Sequence, residues 1–360
     1  MKHLKEYRDG ELSGRMIDVL QGLGSKRIRI MEVCGTHTVS IFRNGIRSIL
    51  PDGLTLLSGP GCPVCVTDQG EIDAAIALAS VENTIITTFG DLVRVPGTRS
   101  TLQREQASGK DVRIVYSTFD ALAIAREHPD KTVVFIGIGF ETTAPTIAAS
   151  ILTAAKSGLS NFSVLSLHKT MPPALDALMG GAPPDVDGFL LPGHVSVIIG
   201  ADAYTEFFEK YRIPCAIAGF EPVDILQALI ELTQMIENGR PEVVNSYARA
   251  VTPEGNCGAL SLMDRVFTSC DAVWRGIGTI PGSGLAIRND FAAFDAMARF
   301  GIAIHEVEPP RGCACGDILT GSKPPPECPL YKRRCTPLNP VGPCMVSSEG
   351  TCAAFYRYHG

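Results

Sequence analysis

Nine of the 12 cysteines in the 360-residue chain fall into three groups whose spacing could do chemistry. The first is Cys34-Gly35-Thr36-His37-Thr38. The second is Gly59-Pro60-Gly61-Cys62-Pro63-Val64-Cys65, a Cys-x-x-Cys pair opening a helix that starts near Thr67. Free N–H groups and the dipole at a helix N-terminus favour thiolate over thiol, so the pair can act as a redox couple or chelate one soft metal ion. Cys34 closes the first predicted strand. If its strand neighbours that of the Cys62 loop, three thiols and the His37 imidazole converge.

The third group is the tail, where Cys313, Cys315, Cys328, Cys335, Cys344 and Cys352 all lie in the last 48 residues. Cys315, Cys328, Cys335 and Cys352 are separated by 12, 6 and 16 residues and suit a four-thiolate zinc or iron–sulfur site. Cys313 is an alternative first ligand and Cys344 a spare. The tail has no Cys-x-x-Cys knuckle, and Pro stands beside Cys328 and Cys344, which favours a 4Fe-4S cluster over zinc. So much Pro and Gly leaves little to pack, and something other than packing must order this segment. Cys215, Cys257 and Cys270 occur singly in apolar surroundings and read as core.

Three further loops carry polar residues: Gly137-Ile138-Gly139-Phe140-Glu141-Thr142-Thr143, Leu167-His168-Lys169-Thr170 and Pro192-Gly193-His194-Val195-Ser196. The first lacks the Gly-Lys-Ser/Thr of a phosphate loop and the third glycine of a dinucleotide fingerprint. Glu141, His168 and His194 suit hydrogen bonding or proton transfer across a cleft.

These residues need elements to position them. Short β-branched runs alternate with helical stretches, the signature of βα units and a parallel sheet. Eight strands are predicted, at 27–33, 54–58, 84–88, 112–116, 132–138, 162–167, 188–191 and 214–218. Helices are predicted at 69–80, 118–128, 143–156 and 223–238. The first four units and the last four look like a diverged duplication: Cys34-Gly35-Thr36-His37 aligns with Gly139-Phe140-Glu141-Thr142, and Phe119 with Phe220. Every unusual loop follows a strand, where open parallel sheets bind ligands. The length favours two or three domains. The expected fold is therefore α/β, with two similar open parallel-sheet domains facing across a cleft, at 25–128 and 129–250. Residues 1–24 with 251–360 form a cysteine-rich third domain, with a turn-rich β element at 276–284 and a short helix at 289–300 capped by Asn289.

Composition narrows the function classes. With 45% hydrophobic and 19% charged residues the chain is globular. A net charge of -6, with no basic run longer than Lys332-Arg333-Arg334, argues against nucleic acid as a partner. The N-terminal residues lack an apolar signal core, and no charge-free run is long enough for a membrane span, so the expected compartment is the cytoplasm. Structural disulfides are rare there, which turns clustered cysteines toward metal or redox chemistry.

Taken together, Cys34-Gly35-Thr36-His37, Gly59-Pro60-Gly61-Cys62-Pro63-Val64-Cys65, Gly139-Phe140-Glu141-Thr142-Thr143, Pro192-Gly193-His194-Val195-Ser196 and Gly342-Pro343-Cys344-Met345-Val346-Ser347-Ser348-Glu349-Gly350 resemble the HypD family of hydrogenase maturation factors, over essentially the whole chain. The resemblance implies two similar α/β domains and a third with a 4Fe-4S cluster. It also implies a complex with the chaperone HypC, in which an iron atom becomes Fe(CN)2CO on its way to the large subunit of a nickel–iron hydrogenase. Cyanide would come from HypE, with HypF upstream. Carried over, Cys34, Cys62 and Cys65 are the thiols of the iron site, while Cys315, Cys328, Cys335 and Cys352 are the cluster ligands. Such a chain is a scaffold with redox activity more than a turnover enzyme. The competing reading is an iron–sulfur-dependent thiol–disulfide oxidoreductase.

Overall fold

A computed structural model describes residues 6–23, 26–181 and 184–358. Its strands are β1 (Ile28–Glu32), β2 (Leu54–Ser58), β3 (Thr84–Thr88), β4 (Val112–Ile114), β5 (Thr132–Gly137), β6 (Phe162–Ser166), β7 (Gly188–Pro192), β8 (Cys215–Ala218), β9 (Val243–Asn245), β10 (Phe267–Trp274) and β11 (Gly278–Ile287). The helices run α1 (Gly10–Gly22), α2 (Gly35–Arg43), α3 (Pro63–Val66), α4 (Gln69–Leu78), α5 (Leu102–Ala107), α6 (Thr118–Glu127), α7 (Ala144–Lys156) and α8 (Met171–Gly180). They continue with α9 (Gly193–Ile199), α10 (Thr205–Tyr211), α11 (Pro222–Asn238), α12 (Cys257–Val266), α13 (Ala296–Phe300), α14 (Cys315–Leu319) and α15 (Thr351–Tyr358). All eight predicted strands form. The short β9 is an addition.

The sheets do not follow the sequential halves. One has the order β2-β1-β7-β8-β9 and the other β4-β3-β5-β6, all pairs parallel. A division at 128/129 would cut both sheets, so the expected domain boundaries are corrected. The chain builds β1 and β2, leaves to build the whole second sheet, and returns at β7. Adjacency in sequence is the default for pairing, and no local signal marks the two departures from it.

The exchange nonetheless fits the duplication. Shifting each strand number by four turns β2-β1-β7-β8 into β6-β5-β3-β4, which is the second sheet read from its other edge. Each sheet thus takes the first two strands of one repeat and the last two of the other. Both have a switch point between central strands, at β1/β7 and β5/β3, where successive connections leave in opposite directions and open a crevice at the carboxyl ends.

The remaining elements pack on these units. Met16 and Leu20 of α1 join Ile28, Ile30, Leu226 and Leu229 in the core beneath the first sheet. The described part of the N-terminal segment therefore belongs to that unit and not to a third domain with the tail. Met263, Val266 and Phe267 of α12 and β10 pack with Ile147 and Ile151 of α7 on the second sheet. The β element at 276–284 is part of the antiparallel hairpin β10–β11. The expected helix at 289–300 is a 3-10 turn over Asn289–Phe294 followed by α13, because Asp295, and not Asn289, caps the α-helical part through Met297 N.

The tail is ordered by packing to a greater extent than its composition implied. Cys315, Ile318, Leu319, Tyr331, Met345 and Phe355 join the central core with Phe140, Trp274 and Cys65. Phe355 of α15 meets Phe42 of α2 edge-on at 4.7 Å, and the Arg47 guanidinium covers both rings. Among the described residues no helix is long and apolar enough to cross a membrane.

Candidate functional site

β1 ends at Glu32, and Cys34 follows as the N-cap position of α2. Its neighbour across the switch point is β7, after which His194 lies in the first turn of α9. Cys34 Sγ lies 3.8 Å from His194 Nδ1 and 3.9 Å from Nε2, across the crevice. The imidazole that meets the thiol is therefore His194, where the sequence pointed to His37. It also follows a strand of the same sheet as Cys34 does, and does not lie on an opposing domain's wall.

His37 has a different task. Its Nε2 donates to Gly219 O at 2.9 Å, and its ring and that of His194 flank Phe220, with centroids at 4.7 and 5.0 Å. Burial lowers His37 and His194 each to about 4, so both are neutral at physiological pH. Burial, with the Glu349 and Glu32 carboxyls nearby, pushes the Cys34 thiol well up.

The Cys62 loop crosses directly over Cys34. Gly35 N donates to Gly61 O at 2.9 Å, and a Cβ on Gly61 would stand 2.1 Å from Cys34 N, so only glycine fits the crossing. Cys62 caps the single turn α3, with the longer α4 starting separately at Gln69; the helix onset is thus earlier and shorter than the sequence reading had it. Cys62 and Cys65 are joined as a disulfide. In that state neither sulfur is a thiolate, and metal binding by the pair requires its reduction.

The tail closes the site from above. Ser347 Oγ lies 3.3 Å from Cys62 Sγ, and the Thr36 hydroxyl donates to the Glu349 carboxylate at 2.5 Å. Ser348 N and Oγ both donate to Asp91 of the second unit at 2.8 Å, so the 347–349 segment bridges the two units. Beside it an open cavity of about 590 Å³ is lined by Thr36, Ser40, Arg43, Phe220, Glu221 and Glu349, among others. Glu32 supports the thiol from below, where its carboxylate accepts from Cys34 N at 3.1 Å and from the Thr38 hydroxyl. Burial raises Glu32 to about 7. The sequence reading missed Glu32, although an acidic residue ending an apolar strand is a usable signal.

Glu141 occupies the switch point of the second sheet. Its Oε1 accepts from Met171 N at 2.8 Å, its Oε2 has no partner among the described residues, and burial raises it to about 7. No hydrogen bond brings it to Cys34 or His194. His168 is also remote from the thiols, buried beside Ser166 and Phe267 and lowered by burial to about 3. Next to it Lys169 and Glu71 form a buried ion pair at 2.5 Å.

All six tail cysteines line one pocket, together with Ile318, Tyr331, Gly342 and Met345. The Cys344 sulfur lies 3.1 Å from that of Cys315. Val341 N donates to Cys335 Sγ at 3.3 Å. Among the described residues no three His, Cys, Asp or Glu side chains are grouped as tightly as a single ion requires. Soft donors spread around an apolar pocket, with no carboxylate among them, fit a multi-atom iron–sulfur cluster better than one zinc ion. Of the single cysteines, Cys215 is core; Cys257 is exposed and Cys270 half-buried, contrary to the sequence reading.

Fold and site together define a two-unit α/β protein with a thiol crevice at one switch point and a cysteine-lined pocket beside it. The chain belongs to the HypD family: the family model described as "Hydrogenase formation hypA family" matches residues 12–359. Relatives named hydrogenase maturation factor HypD are 44% identical in Cupriavidus necator over 370 residues, covering 99% of this chain and 97% of that one. The counterpart in Rhodobacter capsulatus is 42% identical over 372 residues, with 100% and 99% covered, and that in Escherichia coli 42% over 366 residues, with 99% and 98% covered. The chain is a hydrogenase maturation protein.

Proposed function

We propose that the chain is the scaffold on which, with HypC bound, an iron atom acquires its cyanide and carbon monoxide ligands as Fe(CN)2CO before passing to the hydrogenase large subunit. HypE, supplied by HypF, is the cyanide donor in this reading. The observation that carries it is the crossing of the Cys62-Cys65 loop over Cys34 at the β1/β7 switch point, with His194 beside the sulfur. Iron(II) with cyanide and carbon monoxide is a soft centre that thiolates suit better than carboxylates. Cys34 is the standing thiol. Reduction of the disulfide by an external dithiol, itself oxidised to a disulfide in the exchange, yields the thiols of Cys62 and Cys65, which release their protons to solvent as they join Cys34 as thiolate iron ligands. Burial of the crevice under Ser347 and Glu349 excludes water from a reactive centre.

The tail pocket is read as the seat of a 4Fe-4S cluster, whose chemistry when bound is one-electron transfer. Cys328, Cys335 and Cys352 are proposed ligands, with Cys315 or Cys313 as the fourth. The disulfide itself also supports the second reading, a cluster-dependent thiol–disulfide oxidoreductase.

Replacing Cys34 separates the two. Cys34→Ala, expressed in cells lacking their own copy of the protein, is expected to abolish hydrogenase activity while the Cys62–Cys65 pair still cycles with dithiothreitol. Full hydrogenase activity in that variant would rule out an iron site built on Cys34 and favour the oxidoreductase.

A further inference from the structure

Arg275 stands at the turn of the β10–β11 hairpin and is 3% exposed. It lies between the two cysteine sites. On one side its N–H donates to Val66 O at 2.8 Å, its Nε to Thr67 O at 2.9 Å and its Nη1 to Gln69 Oε1 at 3.0 Å, which fixes it to the end of the Cys62-Cys65 helix. On the other side the adjacent Gly276 lies against Gly316, where a Cβ would meet the Gly316 Cα at 2.1 Å. Gly316 is the residue after Cys315.

Every one of these partners is neutral. Nη2 is buried without a partner, and the guanidinium forms no ion pair among the described residues. The nearby Glu71 carboxylate is taken by Lys169. Arginine stays protonated in proteins, so this is a full positive charge out of water with no anion to balance it. Such a charge is costly unless something pairs with it. Among the described residues no carboxylate does. The anionic thiolates of the adjoining pocket can, because Trp274 and Ile277, on either side of Arg275 in the hairpin, pack in one core with Cys313 and Cys315.

We propose that Arg275 is a positioning residue that supplies the counter-charge for an anionic iron–sulfur cluster in the tail pocket and sets its reduction potential. The inference rests on the reading of the tail as a cluster site. Adding an electron to the cluster adds negative charge, so a fixed cation beside it favours the reduced form. Removing the cation lowers the potential.

The test is a redox titration of the full-length chain, reconstituted anaerobically with iron and sulfide, followed by visible and electron paramagnetic resonance spectra. Arg275→Gln is expected to lower the reduced-to-oxidised ratio at a given potential at least tenfold, about 59 mV for one electron, and Arg275→Lys to recover part of the loss. Should Arg275→Gln not fold, Gln69→Glu tests the same point by placing a carboxylate on Nη1, and it too is expected to lower the potential. Wild-type potentials in Arg275→Gln, or in Gln69→Glu when that is the variant measured, would reduce Arg275 to a structural anchor and overturn the inference. Reconstitution without acid-labile sulfide would instead overturn the reading of the tail, and the inference with it.

Discussion

Gly61→Ala is the most searching single substitution for the geometry of the thiol site. An ideal Cβ there would lie 2.1 Å from Cys34 N, 2.3 Å from Cys34 Cα and 2.3 Å from Val33 C. All three are backbone atoms that no rotamer change can move. Ordinary contact starts near 3.4 Å, so the Cys62 loop must rise by about an ångström or more, at an overpacking cost of about 1–3 kcal/mol. That rise also breaks the Gly35 N to Gly61 O bond, worth about 1 kcal/mol. The expected destabilisation is therefore about 2–4 kcal/mol, read by urea unfolding of the full-length chain. Lifting the loop also uncovers Cys34, which is 1% exposed. Its alkylation by iodoacetamide, followed by mass spectrometry under native conditions, should accelerate at least tenfold. Gly14→Ala is the control, because nothing lies within 4 Å of a Cβ in the middle of α1, and it should be neutral or stabilising by up to about 1 kcal/mol. A Gly61→Ala chain with wild-type stability and an equally protected Cys34 would show that the loop does not cross the thiol as described.

Lys169→Met strands the buried Glu71 carboxylate and should cost about 3–5 kcal/mol, whereas Lys169→Met with Glu71→Leu should recover most of that loss; urea midpoints of the three chains decide it. Stability should fall as pH drops below about 6.5, because the unfolded chain takes up protons that His37, His168 and His194, lowered to between about 3 and about 4, refuse in the fold. Glu32 and Glu141, raised to about 7, act the other way: their contribution is complete below about 4.5 and is lost as pH rises through 7. The balance places maximum stability near pH 6.5, and a urea-unfolding series across pH 4–8 that shows none there would contradict it. Glu141→Gln keeps an acceptor for Met171 N, and its gain relative to wild type should be up to about 3 kcal/mol larger at pH 8 than at pH 4.

The strands were legible because buried parallel strands read as short runs of apolar and β-branched residues between helical stretches, as Thr84–Thr88 and Phe162–Ser166 do. The exchange of strands between sheets was not, because it is decided by which faces pack and leaves no mark on the linkers after Ser58 and Ser166. Yet the repeat itself was visible in the match of Cys34-Gly35-Thr36-His37 to Gly139-Phe140-Glu141-Thr142, and the topology follows it. The same logic applies to the site. Cys34, Cys62, Cys65 and His194 could be picked out because strand-end loops carry function in open parallel sheets. Their mutual contacts depend on β1 pairing with β7, a tertiary fact, so His37 looked like the natural partner from sequence proximity alone. Cys257 and Cys270 were misplaced for a similar reason, since apolar neighbours in sequence do not say which face of α12 or β10 is covered. Arg275 carried no motif at all, and only its burial among neutral partners makes it visible.

The most direct test of the central proposal is infrared spectroscopy of the full-length chain purified anaerobically in complex with HypC. Stretching bands of metal-bound cyanide and carbon monoxide are expected in the wild-type complex and are expected to be lost in Cys34→Ala. A wild-type complex that contains iron but shows neither band, or a Cys34→Ala complex that keeps both, would contradict the proposal.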